Sequence, residues 1–332
     1  MPGIRMKMKG LYAMMRKAVT FSGVLRALLS AALLALVLAV FPAASAETGV
    51  PYRDAAGVLR TTPAGTEVTV IDKDNKVVYL SGWYVVRGEV DYETLSIDPQ
   101  GETVLILADG CKLSIHDVSI GVNHTTKTTF TVTGQSLDPE EAGVLSVRAS
   151  GAGIRLTEGT YLQNGGRVDI AVTDAAGEGI YANAGFYLNG GVLVISSPDN
   201  SIDTAGELKI TGGVLEDSSP VGLFSNTGIT LGWRYQEDRI SLKKMNALGS
   251  GRIRIAANKA FAAGSEIYRG TLTAEQLAAI NENGVTLTPV NAKYSYKSGI
   301  IPATGDGAQP LLWLACVIAG LSALVLLRRK CR

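Results

Sequence analysis

Cysteine and histidine are the scarcest chemistry in this chain: its 332 residues hold three of the first and two of the second. Cys111 is the only cysteine outside the C-terminal tail, where Cys316 and Cys331 lie. The body of the chain therefore has no internal disulfide and depends on a continuous core. Residues this scattered exclude a zinc site of ordinary ligand spacing. His116 and His124 have no Ser or Cys signature beside them that would make either one a catalytic base. Long helical stretches are also missing from the first half. No segment between the strand-like runs of residues 68–134 can hold a crossover helix, which excludes Rossmann and TIM arrangements.

Acidic residues are absent from residues 1–46, which carry six basic ones, while residues 305–332 carry four basic and one acidic. The chain as a whole has 31 basic and 30 acidic residues, so the middle keeps 21 and 29, a net charge of −8. An acidic body is a poor match for nucleic acid, which requires a basic footprint.

What the sequence does contain is a repeat between Gly151 and Glu216. Its copies read GAGIRLTEGTYLQNGGRVDI, GEGIYANAGFYLNGGVLVI and DNSIDTAGELKITGGVLED. Each has a Gly- or Asn-containing turn, an isoleucine (Ile154, Ile180, Ile202), a short apolar pair, then Gly-Gly and a β-branched run. Periods of this size mark a solenoid, and short β-branched runs punctuated by glycine make it a β-solenoid. Residues 68–258 are expected to form a right-handed parallel β-helix, an all-β fold. The three isoleucines form one inward column, and Val168, Leu193 and Leu215 form another. Earlier strand-like runs are VTVI 68–71, KVVYL 76–80, WYVVRGEV 83–90, TLSI 94–97, TVLIL 103–107, CKLSI 111–115 and TFTVTG 129–134; those over 68–107 belong either to the solenoid or to a separate cap. Beyond Glu216, residues 222–233 read as a partial rung and 252–256 as a further strand. Residues 259–290 read as a helix and strand cap. Thr273 and Gln276 make a capping box there, Leu277 and Ile280 share a face, and Gly284 supplies the stop.

The ends read as processing signals. Residues 1–46 fit a secretory signal peptide, with a basic start, the apolar run ALLSAALLALVLAV and Ala44-Ser45-Ala46 before the cut. Residues 47–67 read as a polar leader ordered only near its end, and 291–300 as a short linker. Residues 301–332 hold Ile301-Pro302-Ala303-Thr304-Gly305, an apolar span over 311–327 and a basic terminus. This three-part arrangement resembles the sortase cell-wall sorting signal of Gram-positive bacteria, with Ile301 where Leu is usual. The resemblance implies cleavage after Thr304, transfer to peptidoglycan by a sortase, and membrane insertion through 311–327 before that step. The expected location is the wall-anchored cell surface.

Other stretches are similar to a group of β-helix domains common on gut Firmicutes: WYVV (83–86), VLILADGCKLSI (104–115), TFTVTGQS (129–136), ITLGW (229–233) and GTLTAEQLAAI (270–280). The Gly-Gly repeats resemble the calcium-dependent, pectin-binding parallel β-helix domains of clostridial surface proteins. That likeness implies carbohydrate binding and calcium between rungs. The acidic pair that family often shows before the repeat isoleucine is reduced here to Gly177-Glu178 and is absent at Gly151-Ala152.

Two sets of residues are candidates for binding. Glu178, Asp199, Asn200 and Asp203 flank the repeat isoleucines, and stacked rungs would bring their oxygens together for Ca2+; they are also ordinary turn formers. Tyr161, Tyr187 and Lys209 align as an outward column suited to a sugar ring and a carboxylate, with Tyr181 as a further member. The same column would equally serve as a plain ladder of β-formers. Arg155, Arg167 and Asp169 fall at different strand positions, and no acid triplet repeats, so a lyase or hydrolase site is not expected. The expected function is non-catalytic binding at the cell surface, to polysaccharide. A protein-binding adhesin on a host surface and a polysaccharide-degrading enzyme are the alternatives.

Overall fold

Short strands separated by glycine-bearing corners stack one rung on the next in the computed structural model, which describes residues 46–93, 97–117, 119–121, 127–248 and 253–297. The signal-peptide reading of residues 1–45, the sorting motif Ile301–Gly305, the apolar span 311–327 and His124 lie outside the described residues.

The described chain is nearly all β, a parallel β-solenoid of about seven turns with one small helix. Each turn runs through two long sheets, and from residue 154 onward through a third. The first sheet stacks Val68–Ile71, Tyr79–Val86, Asp98–Leu107, Thr129–Gly134, Thr160–Gln163, Gly185–Leu188, Glu207–Ile210, Gly228–Leu231 and Ile253–Ile255 in parallel. The second stacks Glu89–Tyr92, Lys112–His116, Val144–Ala149, Arg167–Val172, Val192–Ser196, Val214–Asp217 and Arg239–Leu242. The third stacks Ile154–Leu156, Ile180–Ala182, Asn200–Thr204, Gly222–Ser225 and Met245–Ala247. The strands Val68–Ile71, Tyr79–Val86, Glu89–Tyr92 and Asp98–Leu107 thus belong to the solenoid's own sheets and not to a separate cap.

Alternation along each strand decides which side chains are buried. Ile154 pairs with Ile180, Ile180 with Ile202 and Ile202 with Leu223, all fully buried. Val168, Leu193 and Leu215 form the expected second column, also fully buried. Burying an aliphatic side chain in this way stabilises the fold by about 1.5–3 kcal/mol relative to exposure. Repetition over the rungs is what replaces disulfides here.

The corners between the first and second sheets need glycine. Gly166, Gly191 and Gly213 have φ of +73°, +83° and +88°, a conformation that side chains disfavour. A Cβ on Gly191 would sit 2.3 Å from the Gly166 carbonyl oxygen, and one on Gly213 2.6 Å from that of Gly191. Each rung therefore lies against the last with no room for a methyl group.

One edge of each long sheet is covered by an antiparallel strand, as open edges demand. Ala46–Glu47 pairs antiparallel with Val68–Thr69, and Arg87 holds Glu47 through two hydrogen bonds. At the far end, helix α1 (Ala274–Asn283) begins with the expected capping box at Thr273 and Gln276 and stops at Gly284. Ile280 is buried, and Leu277 packs against the core. The strand Val285–Pro289 then pairs antiparallel with Arg239–Leu242 and with Phe261–Ala263.

The polar leader departs from expectation. Residues 51–61 form a hairpin, Pro51–Arg53 against Leu59–Thr61, that lies on the outer face of the first sheet. Tyr52 meets Trp83 edge-on with ring centroids 5.0 Å apart, and Thr133 donates its hydroxyl to the Arg53 carbonyl. Composition alone marks this stretch as polar and turn-rich; its order comes from packing on a sheet far along the chain.

Candidate functional site

The acidic corner lies where the second sheet gives way to the third. Gly179 N–H donates to the Asn200 carbonyl, and Gly153 N–H to that of Glu178, so each turn stacks on its neighbour. Tyr181 pairs with Asp203 in register, which puts Asp203 on the outer face. Glu178 reaches this pair from the preceding corner. Its Oε2 is buried and receives no hydrogen-bond donor; Arg155 Nη1 is 3.6 Å away. Burial first, and the Asp203 charge second, push the Glu178 carboxyl up to about 7, while Arg155 pulls it down. The Asp203 carboxyl is itself raised, chiefly by burial. Asp199 adds further negative charge beside both. Asn200 Oδ1 is buried there without a donor.

Glu178, Asp199 and Asp203 lie within electrostatic reach of one another, but the set is not a plain cation cage. Among the described residues, no three His, Cys, Asp or Glu side chains converge to hold a metal ion. The orphaned Glu178 and Asn200 oxygens suit a cation, yet Arg155 already supplies positive charge. As they stand, the residues set a raised carboxyl against a guanidinium.

Arg155 also covers Tyr181, with its guanidinium carbon 4.9 Å from the ring centroid. Register extends this outward column to Arg155, Tyr181, Asp203, Phe224 and Asn246 on five successive rungs. Cation, aromatic ring, acid and aromatic ring alternate along it. Sequence reasoning picked out Tyr181 and Asp203 in two separate sets, set Arg155 aside, and did not single out Phe224.

The other tyrosine column needs correction. Tyr187 and Lys209 do pair, both partly exposed. Tyr161 does not join them: it pairs with Phe186 and is fully buried. Its ring stacks on Phe186 at 5.5 Å and meets Phe130 edge-on at 6.1 Å, and its hydroxyl donates to Gln163 Oε1. Leu162 holds the outward place beside Tyr187. The cause is one additional residue between Ile154 and the next strand. Counting from the isoleucines misplaces this rung by one, which exchanges inward and outward faces. Counting back from Gly-Gly gives the observed register.

The remaining polar candidates are dispersed. Arg167 and Asp169 pair with each other at 2.9 Å on the second sheet, and His116 lies 3.4 Å from Asp91.

A feature that sequence reasoning missed lies at the corner between the first and second sheets. The Gly-Gly pairs at 165, 190 and 212 remove the side chains from three successive rungs and leave a narrow cleft of about 30 Å3, room for about one or two water molecules. Pro139, Tyr235 and Tyr296 wall it, with the last two rings edge-on at 5.8 Å. An amide ladder runs along one side: Asn189 donates to Asn164 Oδ1, and Thr211 donates to Asn189 Oδ1. Asp238, nearly fully buried, closes the lower end and accepts N–H bonds from Gly213, Arg234 and Tyr235. Arg234 donates from Nη2 to the Ala55 carbonyl in the hairpin. Its Nη1 and the Tyr235 hydroxyl, close together beside Gly57, are both buried without hydrogen-bond partners. Such a group costs about 1–3 kcal/mol when left unsatisfied. The glycines were legible as corners; the notch they cut became visible only with Tyr235 and Tyr296 beside it.

No protein-family model, curated protein or solved structure matches this chain.

Proposed function

We propose that this chain is an exported, wall-anchored surface protein whose right-handed parallel β-helix binds polysaccharide without catalysis. The observation that carries the reading is the column Arg155–Tyr181–Asp203–Phe224 on the outer face of the third sheet. Successive rungs are about 4.8 Å apart, so the column offers rings and charged groups at a regular interval. A polymer of repeating sugar units can meet that interval with ring faces on Tyr181 and Phe224 and hydroxyls on Arg155 and Asp203. The signal-peptide and sorting-signal readings supply export, passage through the membrane, and transfer to peptidoglycan by a sortase. Together they support display at the cell surface.

Calcium enters this reading as a competitor of the Arg155 guanidinium and of the proton on Glu178. An acidic glycan would need such a charge to offset the net −8 of the body; a neutral glycan would not.

Hydrolysis is a weaker reading of the same corner. A pair of carboxyls with one raised into the neutral range is the usual equipment of a glycosidase. Those pairs stand about 5–9.5 Å apart to admit the glycosidic oxygen or a water; here the Arg155 guanidinium, 3.6 Å from Glu178, opposes protonation of that carboxyl.

A glycan array probed with the chain, once with calcium and once with a chelator, tests the proposal. Capture that falls at least tenfold in Tyr181→Ala supports it, and loss with chelator assigns calcium to Glu178, Asp199, Asn200 and Asp203. No capture in either condition overturns it in favour of a protein-binding adhesin. Release of reducing ends or unsaturated products would overturn it in favour of an enzyme.

A further inference from the structure

The last rung and the C-terminal cap leave an open cleft of about 450 Å3 between them, within the range of small-molecule sites. Three loops line it: residues 256–260 after the strand Ile253–Ile255, Arg269 and Gly270 after Glu266–Tyr268, and Val290 and Asn291 after Val285–Pro289. The buried Trp233 and Ile255 line it from the solenoid side. We propose that this cleft binds a small polyhydroxylated acid, carboxylic or phosphoric, with its charged oxygens on Lys259 and Arg269 and its hydroxyls on Asn258 and Asn291.

Charge sets the class of ligand. Lys259 and Arg269 are the charged side chains of the lining, and no acidic one joins them. Among the described residues, neither side chain makes an ion pair or a hydrogen bond, while Arg60, Arg87, Arg155, Arg167, Arg239 and Arg254 each face a carboxylate. In a body with a net charge of −8, two cations lining one cleft without a carboxylate are a local reversal of sign. The Lys259 ammonium is partly buried, and burial lowers its pKa. Asp238 draws it the other way but forms no ion pair with it, and three backbone N–H groups already hold that carboxylate. The Lys259 charge is thus partly withdrawn from water with no partner of its own, and an incoming acid group supplies one.

The cleft is built ahead of any ligand. Trp233 donates its Nε1–H to the Ala260 carbonyl at 2.8 Å, and the same carbonyl accepts the Val290 N–H at 3.0 Å. The indole fixed in this way holds Lys259 Nζ 3.8 Å from its ring centroid, which sets the ammonium in place. Backbone conformation gives a second sign. Three non-glycine residues among those described have positive φ, and two of them, Asn258 at +62° and Asn291 at +57°, line this cleft. Asparagine adopts that conformation more readily than other side chains, and outside glycine it collects at ligand clamps. Both amides are exposed with no partner among the described residues, and each offers a donor and an acceptor to a hydroxyl group. Two cations thus meet the acid, and two amides meet the body behind it. A sugar acid and a polyol phosphate share this chemistry.

Saturation-transfer NMR on the full chain in detergent, titrated with glucuronate, glycerol 1-phosphate and glucose, tests the proposal. At least one of the two acids is expected to bind, and which one identifies the source; glucose is expected to bind about tenfold more weakly. Lys259→Met, which keeps an apolar cover on Trp233, and Arg269→Gln, at an exposed position, should each weaken the acid about fivefold. Lys73→Gln removes an exposed cation at the opposite end of the solenoid and should change nothing. Binding of neither acid, glucose binding as tight as that of the acids, or an equal loss in Lys73→Gln would overturn the proposal. So would acid affinity unchanged in both cleft variants. The cleft lies at the cap and the Arg155–Phe224 column on the third sheet, so this titration can succeed where polymer capture on the array fails, and the reverse.

Discussion

Folding the acidic corner should bind a proton, and the stability of the protein should record it. The Glu178 carboxyl titrates at about 7 in the folded chain against an ordinary 4.5. A raised carboxyl contributes stability that is fully present below the unfolded value and is lost as pH rises through the folded one. The window is therefore about pH 4.5 to 7, with a plateau above it. At full weight the shift corresponds to about 3 kcal/mol. Glu178 is partly open to water, and solvent screening reduces this to about 1–2 kcal/mol. For a solenoid of this length that is about 2–6 °C in Tm. The assay is thermal unfolding by circular dichroism between pH 5 and 8, in chelator, for the wild type and Glu178→Gln. The amide stays neutral over this whole range. It should therefore flatten the pH dependence by that amount and make the variant the more stable protein at pH 8. A variant with the wild-type slope, or one less stable at pH 8, would refute the account of a raised Glu178 carboxyl.

Two further substitutions test the register. Tyr161→Ala should cost about 3–5 kcal/mol, read as a denaturant midpoint shift at unchanged m-value, because the ring is enclosed between Phe130 and Phe186; a change within about 0.5 kcal/mol would return Tyr161 to the surface. Gly191→Ala and Gly82→Ala both place a methyl group on a residue with positive φ, but only at Gly191 does it meet a neighbour, the Gly166 carbonyl. Gly82→Ala should lose about 1–2 kcal/mol from backbone strain, and Gly191→Ala should lose clearly more; equal losses in the two melts would mean the rungs are not in contact at that corner.

What was legible in the sequence followed from local rules repeated along the chain. The spacing of Ile154, Ile180 and Ile202 is a strand-stacking register written three times, and it needed no knowledge of distant contacts. The capping box at Thr273 and Gln276 is likewise local, since both partners lie within one helical turn. The acidic corner was legible because residues flanking a stacked isoleucine must stack as well. The tertiary structure decided what depends on loop length and on partners far along the chain. One additional residue after Ile154 turned Tyr161 from the outer face to the core, because strand side chains alternate and a shift of one exchanges the faces. The hairpin at 51–61 is ordered by contacts with Trp83, Thr133 and Gln135. Arg155 joined the site only because stacking placed its guanidinium over a tyrosine on the next rung. The Gly-Gly cleft needed both: glycines visible in the repeat to remove its floor of side chains, and Tyr235 and Tyr296, brought from outside the repeat, to build its walls.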